Sequence, residues 1–159
     1  MVVLDQSAAA SATAGFCYTF YMQQIIVESP INEPVENVWE AYTNPTHIKK
    51  WNHASPDWTC PRAETDLREG GVFTFRMESK DGSEGFDFTG AYTVVVPHEK
   101  IAYTMGDGRK AVIEFIPIGN STHLKISFDA ENENPIEMQK QGWYAILTNF
   151  KEYVENTSV

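Results

Sequence analysis

The feature that most constrains the fold of this chain is an unbroken series of short strand-like segments followed by one long amphipathic helix. The strand signals extend from Trp58 to Asp129 and are separated by turn sequences, among them the Asp81-Gly82 pair of a tight hairpin. Strands joined by short turns pair antiparallel, and a sheet with one apolar face needs a cover over that face. The order of elements therefore predicts an α+β domain in which the long C-terminal helix covers a curved antiparallel sheet.

Alternation of apolar and polar side chains locates the individual strands. Phe73, Phe75 and Met77 fall on one face of their strand, and polar side chains occupy the positions between them. Earlier in the chain, Ile25 and Val27 alternate with their neighbours in the same way. On this basis we predict about six or seven strands, at residues 24–31, 58–67, 72–79, 85–96, 101–105, 110–118 and 123–129.

The strand at residues 85–96 contains a glycine in an inward position. Alternation places Gly90, Tyr92 and Val94 on one face. Because glycine has no side chain to pack, we expect Gly90 to mark a bend or a close approach of the backbone.

Two short helices are predicted between the first and second strands. Asn32 or Glu33 is expected to cap the first helix, with Pro34 in its first turn and Asn44 near its end. Residues 46–51 are expected to form the second helix.

The long helix is predicted to start after Pro135 and to end at about Val154. A helix of about 20 residues spans roughly 30 Å, which is enough to lie along a whole sheet. Its apolar stripe follows helical spacing and comprises Met138, Gln141, Gly142, Trp143, Tyr144, Ile146, Leu147, Phe150, Tyr153 and Val154.

The charge and cysteine content exclude several classes of function. The formal net charge is −10, and no cluster of basic residues exceeds the Lys49-Lys50 pair, which argues against nucleic acid and anionic membrane surfaces as partners. The chain has two cysteines, Cys17 and Cys60, and two isolated thiols are typical of a reducing cytoplasm. We therefore expect a cytoplasmic protein without a disulfide and without a cofactor.

Residues 1–21 differ in composition from the rest of the chain. They are rich in alanine and serine, and they contain Asp5 but no basic residue ahead of an apolar segment, so a signal peptide is disfavoured. We expect residues 1–21 to be a poorly ordered extension and residues 22–159 to form a single domain.

Several short motifs in this domain resemble one known family. They are the segment PVENVWEAYTNP at residues 34–45, Ile48-Lys49-Lys50-Trp51, Gly70-Gly71 ahead of the Phe73-x-Phe75-x-Met77 strand, Asp81-Gly82, Gly90-Ala91-Tyr92, residues 99–104 (EKIAYT) and Gly142-Trp143. Together they resemble the START-like, or SRPBCC, superfamily, in the branch named after the activator of the heat shock protein 90 ATPase. The resemblance extends over residues 24–154 in order and without gaps.

The resemblance implies a helix-grip fold with a cavity between the sheet and the long helix. Members of the superfamily bind lipids, hormones, polyketides or other apolar molecules, and some are cyclases or hydrolases. The residues expected to line the cavity are Trp51, Trp58, Phe73, Phe75, Met77, Phe88, Tyr92, Met105, Trp143 and Leu147, whereas Trp39 is assigned to the core. Ordinary core packing is the alternative role of each lining residue.

Two further kinds of site receive little support from the sequence. His47, His53, Asp57 and Cys60 are residue types that bind zinc, but their spacing matches no metal motif, and we expect them to be surface loop residues. The titratable strand residues fall on the face opposite the aromatic side chains, so we predict neither an acid–base pair nor catalytic residues.

Three functions remain open at this point. The first is non-catalytic binding of a small hydrophobic ligand in the cavity. The second is a co-chaperone-like interaction with a heat shock protein 90 ATPase, and the third is a cyclase-like or hydrolase-like activity on an apolar substrate. We favour them in that order because a catalytic role would need polar groups deep in the cavity.

Overall fold

The computed structural model describes residues 22–159, so the expectation for residues 1–21 lies outside the described part of the chain. The described elements follow one another in the predicted order, and the protein is α+β. None of the described helices is long and apolar enough to cross a membrane. The elements are β1 (Gln24–Ile31), α1 (Val35–Thr43), α2 (Pro45–Trp51), β2 (Trp58–Thr65), β3 (Val72–Ser79), β4 (Gly85–Val96), β5 (Lys100–Met105), β6 (Lys110–Ile118), β7 (Ser121–Asp129) and α3 (Ile136–Glu155).

The seven described strands form one antiparallel sheet in the order β1-β7-β6-β5-β4-β3-β2. Each strand from β2 to β6 pairs with the strand that follows it in the chain. Strand β1 instead pairs with β7, and Val27 lies opposite Ile126 in this pair. Because each strand is twisted relative to the next, a sheet of this size curls. It forms a half-barrel, and α3 lies against its concave face.

Both edge strands of the sheet carry a proline. Pro30 lies in β1 and Pro61 in β2, where the pairing register shifts between Thr59 and Arg62. Proline cannot donate a backbone hydrogen bond to an added strand, and an irregular register bends the edge away. These features disfavour edge-to-edge association of the sheet.

The buried residues of helix α3 all lie in its C-terminal half. Leu147, Phe150 and Val154 are buried there, whereas Met138 is 58% exposed and Tyr144 is 50% exposed. The expectation that Met138 and Tyr144 belong to the packed stripe is therefore wrong. Met138 lies in the first turn, ahead of the packed half, and Tyr144 follows Trp143 by about 100° around the helix, on its solvent side.

The first helix begins one residue later than predicted, and neither Asn32 nor Glu33 caps it. Its N-cap is Pro34, and no side chain accepts a hydrogen bond there. The backbone N–H of Asn32 instead donates to Oε1 of Glu155 at 2.7 Å, which joins the start of α1 to the end of α3. A side-chain cap is present at α2, where Asn44 accepts a hydrogen bond from the Thr46 backbone.

Strand β4 contains a β-bulge that regular alternation does not anticipate. Tyr92 pairs with Tyr103 and Val94 pairs with Ala102, so the register shifts by one residue between these pairs. The extra residue reverses the alternation beyond it, and Val95 rather than Val94 packs against the core. The expectation that Tyr92 and Val94 share a face is wrong for this reason.

Gly90 is a point of close approach, as predicted. A Cβ atom added to Gly90 would lie 2.5 Å from Cζ of Phe73 and 2.9 Å from the carbonyl oxygen of Thr104. Phe73 is only 2% exposed, and its ring is packed against other aromatic rings, so it has little space into which to move.

We therefore expect Gly90→Ala to lower the free energy of unfolding by about 1–3 kcal/mol, as overpacking of a core does. Denaturant unfolding followed by circular dichroism measures the change. Gly142→Ala is the matched control, because nothing lies within 4 Å of the added Cβ in α3. That control should gain about 0.5–1 kcal/mol, the usual benefit of alanine over glycine inside a helix. Unchanged stability of Gly90→Ala would mean that the Phe73 ring is free to move aside.

Candidate functional site

A cavity of about 280 Å³ lies between the sheet and α3. It forms because the backbone of α3 lies close to β1, α1 and α2 but farther from β3, β4 and β5. Side chains bridge the gap but do not fill it. The lining residues are Tyr42, Thr43, Trp51, Asn52, Phe73, Phe75, Met77, Phe86, Phe88, Tyr92, Ile101, Tyr103, Arg109, Ile126, Trp143, Ile146, Leu147 and Phe150.

The sheet side of the cavity is a cluster of aromatic rings centred on Phe73. The Phe73 ring stacks on Phe75 with 4.9 Å between the centroids, and it meets the edge of Tyr103 at the same distance. Phe88 and Tyr92 lie 5.7 Å and 5.2 Å from the same ring. Neighbouring strands supply these side chains because inward positions of antiparallel strands lie side by side.

Trp143 forms the helix side of the cavity. Its ring stacks on Phe128 of β7 with 3.9 Å between the centroids and 12° between the planes. Phe88 meets Trp143 edge to face at 6.3 Å. Trp143 is half-buried and lines the cavity. It therefore links the helix to the sheet across the gap.

The two short helices close the end of the cavity that adjoins the core. Tyr42 stacks on Trp51 at 5.2 Å, and both rings pack against Phe150. Nε1 of Trp51 donates a hydrogen bond to the carbonyl oxygen of Ala41 at 3.0 Å, which satisfies the only polar atom of that buried ring.

A few polar groups lie within this apolar lining. The hydroxyl groups of Tyr92 and Thr65 are hydrogen-bonded at 2.7 Å. Burial raises the pKa of Tyr103 well above its ordinary value, and the nearby hydroxyls of Tyr42 and Tyr92 raise it further. Burial also raises the pKa of Tyr42. These phenols therefore stay protonated at physiological pH.

Phe86 marks the opening of the cavity. Its ring is 51% exposed and also belongs to the lining, so it lies where the cavity meets the solvent. Trp58 packs beside it with 6.1 Å between the ring centroids.

The structure brings together most of the residues that the sequence assigned to the cavity. Trp58 does not reach the lining and instead flanks Phe86 at the opening. Met105 also does not reach it and is 4% exposed in the core. The predicted residues that line the cavity are Trp51, Phe73, Phe75, Met77, Phe88, Tyr92, Trp143 and Leu147. Trp39 is a core residue, as predicted.

Several lining residues were not identified from the sequence. Tyr42 and Phe150 lie on the apolar stripes of their helices, and Tyr103 lies in an inward strand position, so periodicity marked them as buried without distinguishing core from cavity. Periodicity did not mark Arg109 as a buried residue, because Arg109 lies in the turn between β5 and β6, where charged residues are common.

The residue types with metal-binding capacity do not converge. His47 Nδ1 is hydrogen-bonded to the hydroxyl of Tyr153 at 2.6 Å, and the Cys60 thiol is directed at the carbonyl oxygen of Arg62. Burial raises the pKa of Cys60 to about 11, which keeps the thiol protonated. The expectation of surface loop residues is wrong for Cys60, which is buried in β2, and for His47, which lies in α2. Within residues 22–159, no three histidine, cysteine, aspartate or glutamate side chains are grouped to hold a metal ion.

The charged residues of β2, β3 and β4 lie on the outer face of the sheet, as alternation predicts. Asp87 Oδ1 is 3.5 Å from Nη2 of Arg62 and 3.6 Å from Nη1 of Arg76, and Arg76 also pairs with Glu78. These side chains are partly exposed, and ion pairs of this kind contribute little to stability.

Comparison with solved structures shows two proteins that share both sequence and fold with this chain. An AHSA1-like protein from Aeromonas hydrophila is 41% identical with a TM-score of 0.80, and the match covers 84% of this chain and 92% of that one. The protein Chr148 from Cytophaga hutchinsonii is 48% identical with a TM-score of 0.74 and the same coverage. CalU16 from Micromonospora echinospora, at 20% identity and a TM-score of 0.62 over 84% of this chain and 76% of that one, shares the fold alone.

No protein of the curated set matches the chain. Residues 32–155 match the family described as Activator of Hsp90 ATPase homolog 1-like protein. This match covers most of the described residues and agrees with the resemblance in the sequence motifs and with the helix-grip architecture. The chain belongs to the family of Activator of Hsp90 ATPase homolog 1-like proteins, within the START-like superfamily.

Proposed function

We propose that this protein binds a small apolar molecule in the cavity between the sheet and α3. The observation that supports the proposal is the cavity itself, which has about 280 Å³ of free volume and a lining made mostly of aromatic and aliphatic side chains. Sites for small molecules are concave, largely apolar and supplied with a few polar groups, and this cavity has each of these properties.

The energetics of an apolar cavity also support ligand binding. Free volume among core side chains lowers stability by about 24 cal/mol per Å³, because the lining atoms lose contacts that a filled core would make. On that scale, a cavity of this size costs on the order of several kcal/mol when it is dry and empty. A ligand of matching shape restores those contacts.

Binding without catalysis fits the lining better than an enzymatic function does. Among the described residues that line the cavity, Arg109 is the single charged side chain, and no carboxylate, imidazole or thiol joins it. Acid–base catalysis needs a group whose pKa lies near the working pH, and protonated tyrosines with raised pKa values are poor candidates for a general base.

The chaperone-directed alternative has weaker support. Its natural docking site would be a large contiguous apolar patch, but most of the exposed apolar side chains of the described sheet lie far apart. Ile116 and Ile118 of β6 are two residues apart on one face and form only a small pair. Ile26 on β1 lies opposite Ser127, whereas Ile118 lies at the far end of β6 opposite Ser121. Val72 lies on β3, toward the other edge of the sheet. Single exposed apolar residues are ordinary on protein surfaces.

Titration with Nile red, a neutral fluorescent dye, tests the proposal. We expect saturable binding at one dye per chain, because the described residues enclose one apolar cavity of this kind. Ile146→Trp places extra volume in the lining and should weaken Nile red binding by about tenfold or more. Native mass spectrometry of the purified protein would in addition identify a ligand that co-purifies.

Met138→Trp is the matched control for that titration. It introduces the same side chain on the same helix, but Met138 is 58% exposed and lies outside the lining. Nile red should bind this variant as it binds the unmodified protein. Absence of saturable binding, or equal weakening by both substitutions, would refute the proposal, and binding assays with a heat shock protein 90 would then test the chaperone alternative.

A further inference from the structure

The charges around the cavity restrict what kind of ligand it accepts. Nε of Arg109 donates to Oδ2 of Asp107 at 2.8 Å, and its Nη1 donates to the carbonyl oxygen of Asp129 at 3.4 Å. Its positive charge is therefore largely compensated. Hydrogen bonds from Glu133 and Asn134 lower the pKa of the nearby Glu131 carboxyl, and the charge of Arg109 lowers it further. An anionic ligand would compete with these carboxylates, and a cationic ligand would find no carboxylate in the lining. Since burying an unpaired ion is costly, the cavity suits an uncharged molecule.

The hydroxyl group of Tyr103 lines the cavity and has no acceptor among residues 22–159. Tyr103 is 8% exposed and its side chain lines the cavity. Within residues 22–159 its hydroxyl makes no hydrogen bond, although every fully enclosed side-chain nitrogen or oxygen of that part of the chain has a partner. The hydroxyl must therefore border the free space of the cavity, where a ligand atom would meet it.

A second tyrosine hydroxyl lies in the same region. Tyr42 reaches the cavity from α1 and lines it together with Tyr103. Its hydroxyl too has no hydrogen-bond acceptor among the described residues, whereas Tyr92 is already bonded to Thr65. Two available O–H donors therefore belong to the lining of one apolar cavity.

We infer, on the basis of the function proposed above, that the ligand is an uncharged and mainly apolar molecule carrying a carbonyl oxygen, which accepts a hydrogen bond from Tyr103 and is assisted by Tyr42. A carbonyl oxygen has two acceptor sites and no proton of its own, so it satisfies both phenols without requiring an acceptor from the protein. A pure hydrocarbon would leave both donors unsatisfied.

Three naphthalene derivatives of similar size test this inference on the full chain. The first is 2-acetylnaphthalene, which carries the carbonyl; the second is 2-isopropenylnaphthalene, in which a CH₂ group replaces the oxygen; and the third is the anion 2-naphthoate. We expect the ketone to bind about tenfold more tightly than the hydrocarbon and the anion to bind most weakly, as measured by isothermal titration calorimetry. Tyr103→Phe should remove most of the preference for the ketone, because only Tyr42 can then donate, and it should leave the affinity for the hydrocarbon unchanged.

The controls separate this inference from the function on which it rests. Tyr144→Phe removes a hydroxyl from an exposed tyrosine outside the lining and should change neither affinity. Tyr42→Phe should reduce the preference for the ketone over the hydrocarbon by a smaller factor than Tyr103→Phe does. It therefore tests the inference in a second variant. Equal affinity for ketone and hydrocarbon in the unmodified protein would overturn the inference and leave ligand binding intact. Tightest binding of 2-naphthoate would also overturn it, whereas failure of all three probes to bind would refute the proposed function as well.

Discussion

Replacing Phe150 with alanine should lower the free energy of unfolding by about 3–5 kcal/mol. Phe150 is fully buried in the packed half of α3, and its ring lies 5.3 Å from Tyr42 and 4.9 Å from Trp51. It thus joins α3 to both short helices. Truncation removes buried apolar surface and leaves a void that these aromatic neighbours cannot fill without changing rotamer. Denaturant unfolding, with the slope compared between variants, measures the loss.

The control for this measurement is Tyr144→Ala in the same helix. Tyr144 is 50% exposed, and its truncation should change stability by less than about 1 kcal/mol. A loss below about 1 kcal/mol for Phe150→Ala as well would contradict the tight junction between α3, α1 and α2. Phe150→Leu, which keeps most of the volume, should recover more than half of the loss.

Trp143→Ala should have two effects at once. The ring stacks on Phe128 at 3.9 Å and is partly buried, so its loss removes an aromatic pair and the apolar surface buried with it. We expect stability to fall by about 2–4 kcal/mol, somewhat less than the value of about 3–5 kcal/mol typical of a fully buried aromatic residue. Because Trp143 also lines the cavity, the same substitution should enlarge the cavity and change the affinity for Nile red.

The combination of effects identifies the role of Trp143. Unfolding and Nile red titration are measured on Trp143→Ala and on Trp143→Phe, which retains a ring for the stack on Phe128. Trp143→Phe should lose less stability than Trp143→Ala but should still alter the affinity for the dye. A full loss of about 5 kcal/mol with unchanged dye binding would assign Trp143 to the core alone.

Much of the sheet followed from the alternation of side chains. β3 illustrates why, since Phe73, Phe75 and Met77 all line the cavity from one face, which is the pattern of a strand with one face directed inward. The bulge in β4 was not predicted, because no residue pattern in the strand indicates that one extra residue is inserted there. Its effect appears only in the pairing with β5, where Val95 takes the inward position.

The boundary between core and cavity could not be predicted in the same way. Met105 and Met77 are both inward-facing methionines of the sheet with little exposed surface, but only Met77 borders the cavity. Periodicity distinguishes inward from outward positions. It does not show whether an inward side chain packs against other side chains or borders a cavity. The position of Arg109 in the cavity lining could not be predicted for a related reason. It depends on the curvature of the sheet, which brings the β5–β6 turn next to the cavity.

The sequence by itself determined the order of elements, the inward face of most strands, the length of α3 and the family to which the chain belongs. Each of these properties follows from the local spacing of residues or from short motifs, which do not depend on tertiary contacts. The tertiary structure alone decided where α3 separates from the sheet, and therefore which inward residues, such as Tyr103, border free space and which, such as Met105, are packed within the core. That separation arises from the summed twist of the seven described strands beneath one long helix, a property of the whole assembly rather than of any segment.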